Sequence, residues 1–277
     1  MRVASACAAF VAVGLLVGCS TAPGLVDTEL RIVGSDTMLI LNRRLAEGYM
    51  RENPGISIRV EGGGSAEGVR MLASGAVRIA AVSRPLLPTE VEAIHQHFGT
   101  LGVRFLIAGD ALSVYVNDSN TVRSLTVDQL RGLFDGSIRS WSEVEGVGGE
   151  VVVVVRPPGS GSHRFFRDRV LKGGSYAADA RTVPSTLEVI NLVRSDPRAI
   201  GYGGVAYRSA GVRGVLLDGV DPSQMLRQET RYALSRYLAL ITAQPPSGLA
   251  RRFIDWCMED EGQAIAAEVG FIPLWSK

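Results

Sequence analysis

The segment Arg156-Pro157-Pro158-Gly159-Ser160-Gly161-Ser162 carries the densest chemistry in the chain, a forked cation followed by a small-residue turn with two hydroxyls. It comes after the apolar run Val151 to Val155 and leads into Phe165-Phe166 and a helical pattern. A strand that ends in a Gly/Ser turn and opens a helix offers unpaired backbone N–H groups, with the positive end of the helix dipole behind them. Arg156 adds a guanidinium at the same spot, and the combination can cradle an anion. An ordinary strand-to-helix turn with a Ser N-cap has the same composition, so this segment alone leaves both readings open.

Similar material occurs three more times. Gly34-Ser35-Asp36-Thr37 follows a first apolar run and opens a long helical pattern, Gly62-Gly63-Gly64-Ser65 follows a second, and Ser83-Arg84-Pro85 follows a third. Each turn taken singly reads as capping. Four hydroxyl-bearing turns and two arginines, all at strand C-termini, indicate a ligand site, because open α/β sheets bind their ligands there.

The elements that must position these turns alternate strand and helix nearly throughout, which is an α/β pattern. Leu30 to Val33, Ile56 to Val60, Ile79 to Val82 and Val103 to Ile107 read as strands, with helices on Met38, Leu41, Leu45 and Tyr49, around Val69 to Ala73, and from Val91 to Phe98. A second set follows with strands at Ala111 to Val116, Val151 to Val155, Ala199 to Tyr202 and Val212 to Leu217. Helices are expected there from Thr126 to Phe134, which opens on a Thr cap, from Phe165 to Leu171, and on Val189, Leu192 and Val193. Two long apolar runs, Asp110 to Asn117 and Tyr232 to Thr242, bracket this central block. They read as chain crossings between two lobes, each a sheet flanked by helices. Lobe 1 is expected from 29–110 and 240–277, and lobe 2 from 111–239.

Residues 1–18 have a short basic start and an apolar run too short to span a bilayer comfortably, so they read as a secretory signal. Leu16-Val17-Gly18-Cys19 resembles a bacterial lipobox, which makes Cys19 an acylated N-terminus and 19–28 a lipid-anchored tether. Cys7 is then discarded, and Cys257 is left on an apolar helical stripe as a core thiol. No disulfide framework is possible in such a mature chain. Net charge is only +1, so nothing points to nucleic acid. Lysine occurs only at 172 and 277, and no Gly-Lys-Ser/Thr phosphate loop is present.

In order along the chain, Gly34 to Thr37, Gly62 to Ser65 with Ala66-Glu67-Gly68-Val69, Ser83-Arg84-Pro85, Leu125-Thr126 to Trp141, Arg156 with Gly159 to Ser162, Ile200-Gly201-Tyr202 and Gly262-Gln263 with Gly270-Phe271-Ile272-Pro273-Leu274 resemble the periplasmic phosphate-binding proteins of bacterial phosphate ABC transporters, in their compact form. The resemblance covers nearly the whole mature chain. It implies a two-lobed binding protein with a two-strand hinge, monomeric and without a cofactor, that closes over inorganic phosphate and presents it to a membrane permease. It also implies a periplasmic or cell-envelope location. Thr37, Ser65, Arg156, Ser160, Gly161 and Ser162 match the family's phosphate contacts; Ser35 and Asp36 lie in the matching turn. Ser83 and Arg84 occupy the region where some members use a carboxylate. Two departures stand out: Pro158 replaces an acid that often orients the arginine, and Ser162 replaces a Thr. A buried dianion needs many donors, and a site that prefers hydrogenphosphate to sulfate needs an acceptor for the remaining proton. Asp36 is the expected acceptor.

Two other classes are weighed against this reading. A phosphoester-acting enzyme would need a base or a metal; His95 and His97 are two apart and face different ways on a helix, and His163 reads as a first-turn surface residue. Gly63-Gly64-Ser65-Ala66-Glu67 misses the last glycine of a nucleophile elbow. A surface-attached sensor or binding protein for phosphate or another oxyanion would keep the fold and do without a permease.

Overall fold

β1 (Glu29–Gly34) pairs in parallel with β2 (Ser57–Gly63) on one side and β3 (Ile79–Val82) on the other. The computed structural model describes residues 27–223 and 232–275, so the expected signal 1–18, Cys19 and all but the last two tether residues lie outside the described residues. All four residues of β3 are buried, as befits a central strand covered on both faces. A 3-10 turn at Asp36–Met38 leads into α1 (Leu39–Glu52), which buries Leu41, Leu45 and Tyr49 on one stripe and ends before Pro54. α2 (Ser65–Ala73) and α3 (Pro88–Phe98) follow β2 and β3 in turn.

β4 (Val103–Asn117) is one continuous strand where the sequence suggests two. Gly109 and Asp110 do not interrupt it: Gly109 exchanges hydrogen bonds with Ile272, and the Asp110 charge is met by a cross-strand arginine. Its first part pairs antiparallel with β10 (Ser235–Thr242) and its second with β8 (Ala199–Gly204) and β9 (Val212–Leu217). β5 (Ser124–Leu125) adds to β9, while β6 (Val152–Val155) and β7 (Arg181–Thr182) extend the sheet beyond β8. The order β2-β1-β3-β10-β4-β8-β6-β7 makes a curled mixed sheet.

Helices α4 (Val127–Asp135), α5 (Gly161–Arg169) and α6 (Thr186–Ser195) cover the second half of the sheet, and α7 (Gly248–Met258) and α8 (Asp260–Val269) return to the first. The core divides accordingly. Ala108 and Leu238 belong to one apolar cluster with Ile32, Leu41 and Phe253, whereas Ala111, Leu112 and Leu234 belong to another with Phe134, Phe166 and Tyr202. Both β4 and the β10 segment thus pass from one core to the other within a few residues. Cys257 is fully buried, and burial pushes its thiol pKa well up, so it is a core thiol as expected. Among the described residues no helix is long and apolar enough to cross a membrane.

Candidate functional site

The turns after β1, β2, β3 and β6 meet at one place. Gly34 at the end of β1 has φ +146°, and a Cβ there would stand 2.2 Å from the Ala81 carbonyl oxygen, so glycine is what lets β1 run this close to β3. The close approach sets Ser35 beside Ser83: Ser35 Oγ donates to Ser83 Oγ at 2.9 Å, and the Ser83 amide donates to Ser65 Oγ at 3.3 Å. Ser65 is the first residue of α2. All three side chains are buried.

The turn after β6 packs onto this group from the other half of the sheet. The Ala66 amide donates to the Gly159 carbonyl at 3.1 Å, and Thr37 Oγ1 lies 2.9 Å from Ser162 Oγ. A Cβ on Gly161 would lie 2.4 Å from both Ser65 Oγ and Ser83 Oγ, so only glycine allows the start of α5 to reach these hydroxyls. Gly161 and Ser162 are the first two residues of α5, whose amides have no intrahelical acceptor. Ser160 caps the same helix by accepting from the His163 amide. Ser35, Thr37, Ser65, Ser83, Ser160, Gly161 and Ser162 are therefore brought together.

Arg156 lies beneath them with its side chain 1% exposed. Nη2 donates to Asp36 Oδ2 at 2.6 Å and to the Pro184 carbonyl at 2.7 Å, and Nη1 donates to Thr186 Oγ1 at 2.9 Å. Pro158 supplies no acid, and Asp36 from the turn after β1 takes that place. The turn is held from below by aromatic packing. The Arg156 amide donates to Tyr202 Oη, whose ring stacks on Phe166 at 4.5 Å and whose phenol, pushed up to about 12 by burial, stays neutral. Tyr207 Oη donates to the Asp36 carbonyl at 2.6 Å, fixing the other side.

A second arginine, not singled out from the sequence, stands at the same place. Arg236 donates through Nε and Nη2 to Asp110 Oδ2 at 2.9 and 2.7 Å, and its Nη2 reaches Thr37 Oγ1 at 3.4 Å. Arg236 and Asp110 face each other across the β4–β10 pair, and Asp110 is fully buried. A lone acid in one apolar crossing strand and a lone base in the other was the available signal, since buried charges are paired. Among the described residues, four buried side-chain nitrogens have no partner, and two of these are Arg156 Nε and Arg236 Nη1.

Arg84 makes none of these contacts. Its guanidinium grips Glu90 bidentately at 2.6 and 2.7 Å, and Glu90 also accepts from the Leu87 amide at the start of α3. The expected surface position of His163 is also corrected. It is half-buried against Tyr176 with ring centroids 4.6 Å apart, and Nδ1 donates to the Arg156 carbonyl at 2.6 Å because a carbonyl can only accept. Burial first, then the neighbouring arginines 167, 156 and 164, lower its pKa against the opposing pull of that bond. His95 and His97 are exposed on α3. Among the described residues no group of three or more His, Cys, Asp or Glu side chains is placed to hold a metal ion.

A two-lobed α/β chain that brings helix starts and hydroxyls over buried arginines at strand C-termini has the periplasmic-binding-protein fold. The chain belongs to the PBP superfamily: the family model described as "PBP superfamily domain" matches residues 20–261. It is 30% identical to the phosphate-binding protein PstS of Bacillus subtilis, over 89% of this chain and 81% of that one. Against the phosphate-binding protein PstS of Pseudomonas aeruginosa it is 26% identical, over 91% of this chain and 85% of the other. Among solved structures, a putative phosphate ABC transporter substrate-binding protein with bound phosphate from Clostridium perfringens superposes with a TM-score of 0.81 at 27% identity. That superposition covers 89% of this chain and the whole of the other.

Proposed function

We propose that the chain binds inorganic phosphate between its two lobes and hands it to an ABC-type permease for import. The observation that carries this reading is a donor-rich cage with too few acceptors. The hydroxyls of Ser35, Thr37, Ser65, Ser83 and Ser162 crowd the free amides of α5, and Arg156 Nε and Arg236 Nη1 are buried there without partners. Buried donors left unpaired cost about 1–3 kcal/mol each, and a tetrahedral oxyanion has the acceptors that would satisfy them. The names of the PstS relatives support phosphate as that oxyanion.

In this reading lobe 1 comprises 29–110 and 240–277, lobe 2 comprises 111–239, and the β4–β10 pair is the hinge, with Leu238 and Ala239 at its end already packed in the cores of lobe 1. Ser35, Asp36, Thr37, Ser65 and Ser83 act from one lobe against Arg156, Ser160, Gly161 and Ser162 of the other. Arg236 joins them from the hinge. Arg84 serves at one remove, by tying the start of α3 to the turn after β3 through Glu90. Asp36 accepts the phosphate proton: its Oδ1 has only a 3.3 Å bond from the Gly63 amide and keeps lone pairs free. The protein acts as a monomeric binder rather than a catalyst, without a cofactor, in the periplasm or cell envelope, held to the membrane by lipid on Cys19.

Titration calorimetry with phosphate, arsenate, sulfate and molybdate at two pH values tests the reading. One phosphate per chain, arsenate nearly as tight and sulfate much weaker are expected. Absence of any phosphate heat, with another of these oxyanions bound tightly, would replace phosphate as the ligand.

A further inference from the structure

Arg236 also lines an open cleft of about 520 Å³ whose walls carry Arg84, Arg104, Arg169, Phe165 and Tyr237. Four of the residues lining it are arginines and none is acidic. Two of those charges are already met, Arg84 by Glu90 and Arg236 by Asp110. Arg104 and Arg169 are exposed and have no carboxylate partner among the described residues. A concave surface lined by one sign of charge concentrates counter-ions.

Two details point to an occupant. The guanidinium carbons of Arg169 and Arg236 both lie over the ring of Phe165, 5.6 and 5.4 Å from its centroid. Asp110 already meets the charge of Arg236, so Arg169 is the cation at this ring whose charge has no carboxylate partner among the described residues. The cleft volume falls within the range of roughly 300–1,000 Å³ usual for small-molecule sites, and a bare tetrahedral oxyanion fills only part of it.

We propose that this cleft is a second anion site, separate from the hydroxyl cage, that holds a phosphoryl dianion through Arg104, Arg169 and Arg236. Phe165 and Tyr237 form an apolar wall for whatever organic body the phosphoryl group carries. Free phosphate and a phosphomonoester present the same dianion to the arginines, and only the second would use that wall.

Equilibrium binding of labelled inorganic phosphate and of phenyl phosphate to the purified full chain separates these cases. The wild type is compared with an Arg104→Gln/Arg169→Gln double variant and with Arg156→Ala. Phosphate is expected to fill a tight and a weak class of site, and phenyl phosphate only the weak one. The double variant should weaken the weak class at least tenfold for both ligands and leave the tight class unchanged, whereas Arg156→Ala should do the reverse. If the weak class and its dependence on Arg104 and Arg169 appear for phosphate alone, the cleft is a site for the free ion. If neither ligand shows that dependence, the proposal is overturned. A wild type that lacks the tight class but keeps the weak one would sink the cage as the phosphate site and leave this inference standing.

Discussion

Asp36 and Arg156 come from opposite sides of the site and meet at 2.6 Å, a bond between residues 120 positions apart in the chain. The pair does two jobs at once. It orients a guanidinium whose own turn carries Pro158 instead of an acid, and it ties the start of α1 to the end of β6. Arg156 is further fixed by Thr186 and the Pro184 carbonyl, so three acceptors share Nη1 and Nη2 and leave Nε without a partner.

Arg156→Ala is expected to weaken phosphate binding by about 2–5 kcal/mol, the usual cost of truncating one member of a buried, hydrogen-bonded charge pair. Arg156→Lys should recover little of it, since an ammonium cannot serve three acceptors in the geometry of a planar fork. Calorimetry on the purified chain measures both. Unchanged affinity in the alanine variant would remove Arg156 from the site.

Asp36→Asn separates anchoring from proton acceptance. Loss of a charged hydrogen bond to Arg156 should lower the affinity for phosphate and sulfate alike, by about 1.5–3 kcal/mol. Loss of the proton acceptor should in addition narrow the preference for phosphate over sulfate, because an amide no longer repels the fully ionised anion. Asp110→Asn is the control, as the other carboxylate bound to an arginine of the cage. A ratio that narrows only in the Asp110 variant would pass the acceptor role to Asp110.

Much of this site is legible in the sequence. Ser35, Thr37, Ser65, Ser83 and Ser162 each stand just after an apolar run in a small-residue turn, a local pattern that needs no knowledge of topology. Arg236 and Asp110 are harder to read because neither sits in such a turn, and only the β4–β10 register sets them face to face. Arg84 misleads for the converse reason. It follows β3 as Arg156 follows β6, but Pro88 starts a helix that brings Glu90 back onto it, and a spacing of six residues matches no helical period that would reveal the pair. The single long β4 is similarly hidden, since Gly109-Asp110 looks like a break until its partners Ile272 and Arg236 are in place.

Gly161→Ala tests closure without touching a charge. The added methyl would meet Ser65 Oγ and Ser83 Oγ at 2.4 Å, so the start of α5 must withdraw from both hydroxyls. Phosphate affinity should fall at least tenfold, about 1.4 kcal/mol or more. The melting temperature without ligand should fall as well, since overpacking a buried position costs about 1–3 kcal/mol, so affinity is read at a temperature where the variant is folded. A variant that binds phosphate as the wild type does would show that the two halves need not approach this closely.

His163 gives the stability a pH dependence of definite sign. Its pKa is lowered in the folded chain, chiefly by burial, so the unfolded chain binds the proton more readily. Stability from this group is full above the unfolded value of about 6.5 and declines as the pH falls through that value towards the lower folded one. His163→Asn can still donate a side-chain N–H to the Arg156 carbonyl but does not titrate. Thermal melts at pH 7.5 and 5.5 should therefore show a larger drop for the wild type than for this variant, with the carboxylates contributing equally to both. Equal drops would mean that the imidazole is as easily protonated in the folded chain as in water, and would remove His163 from the pH dependence.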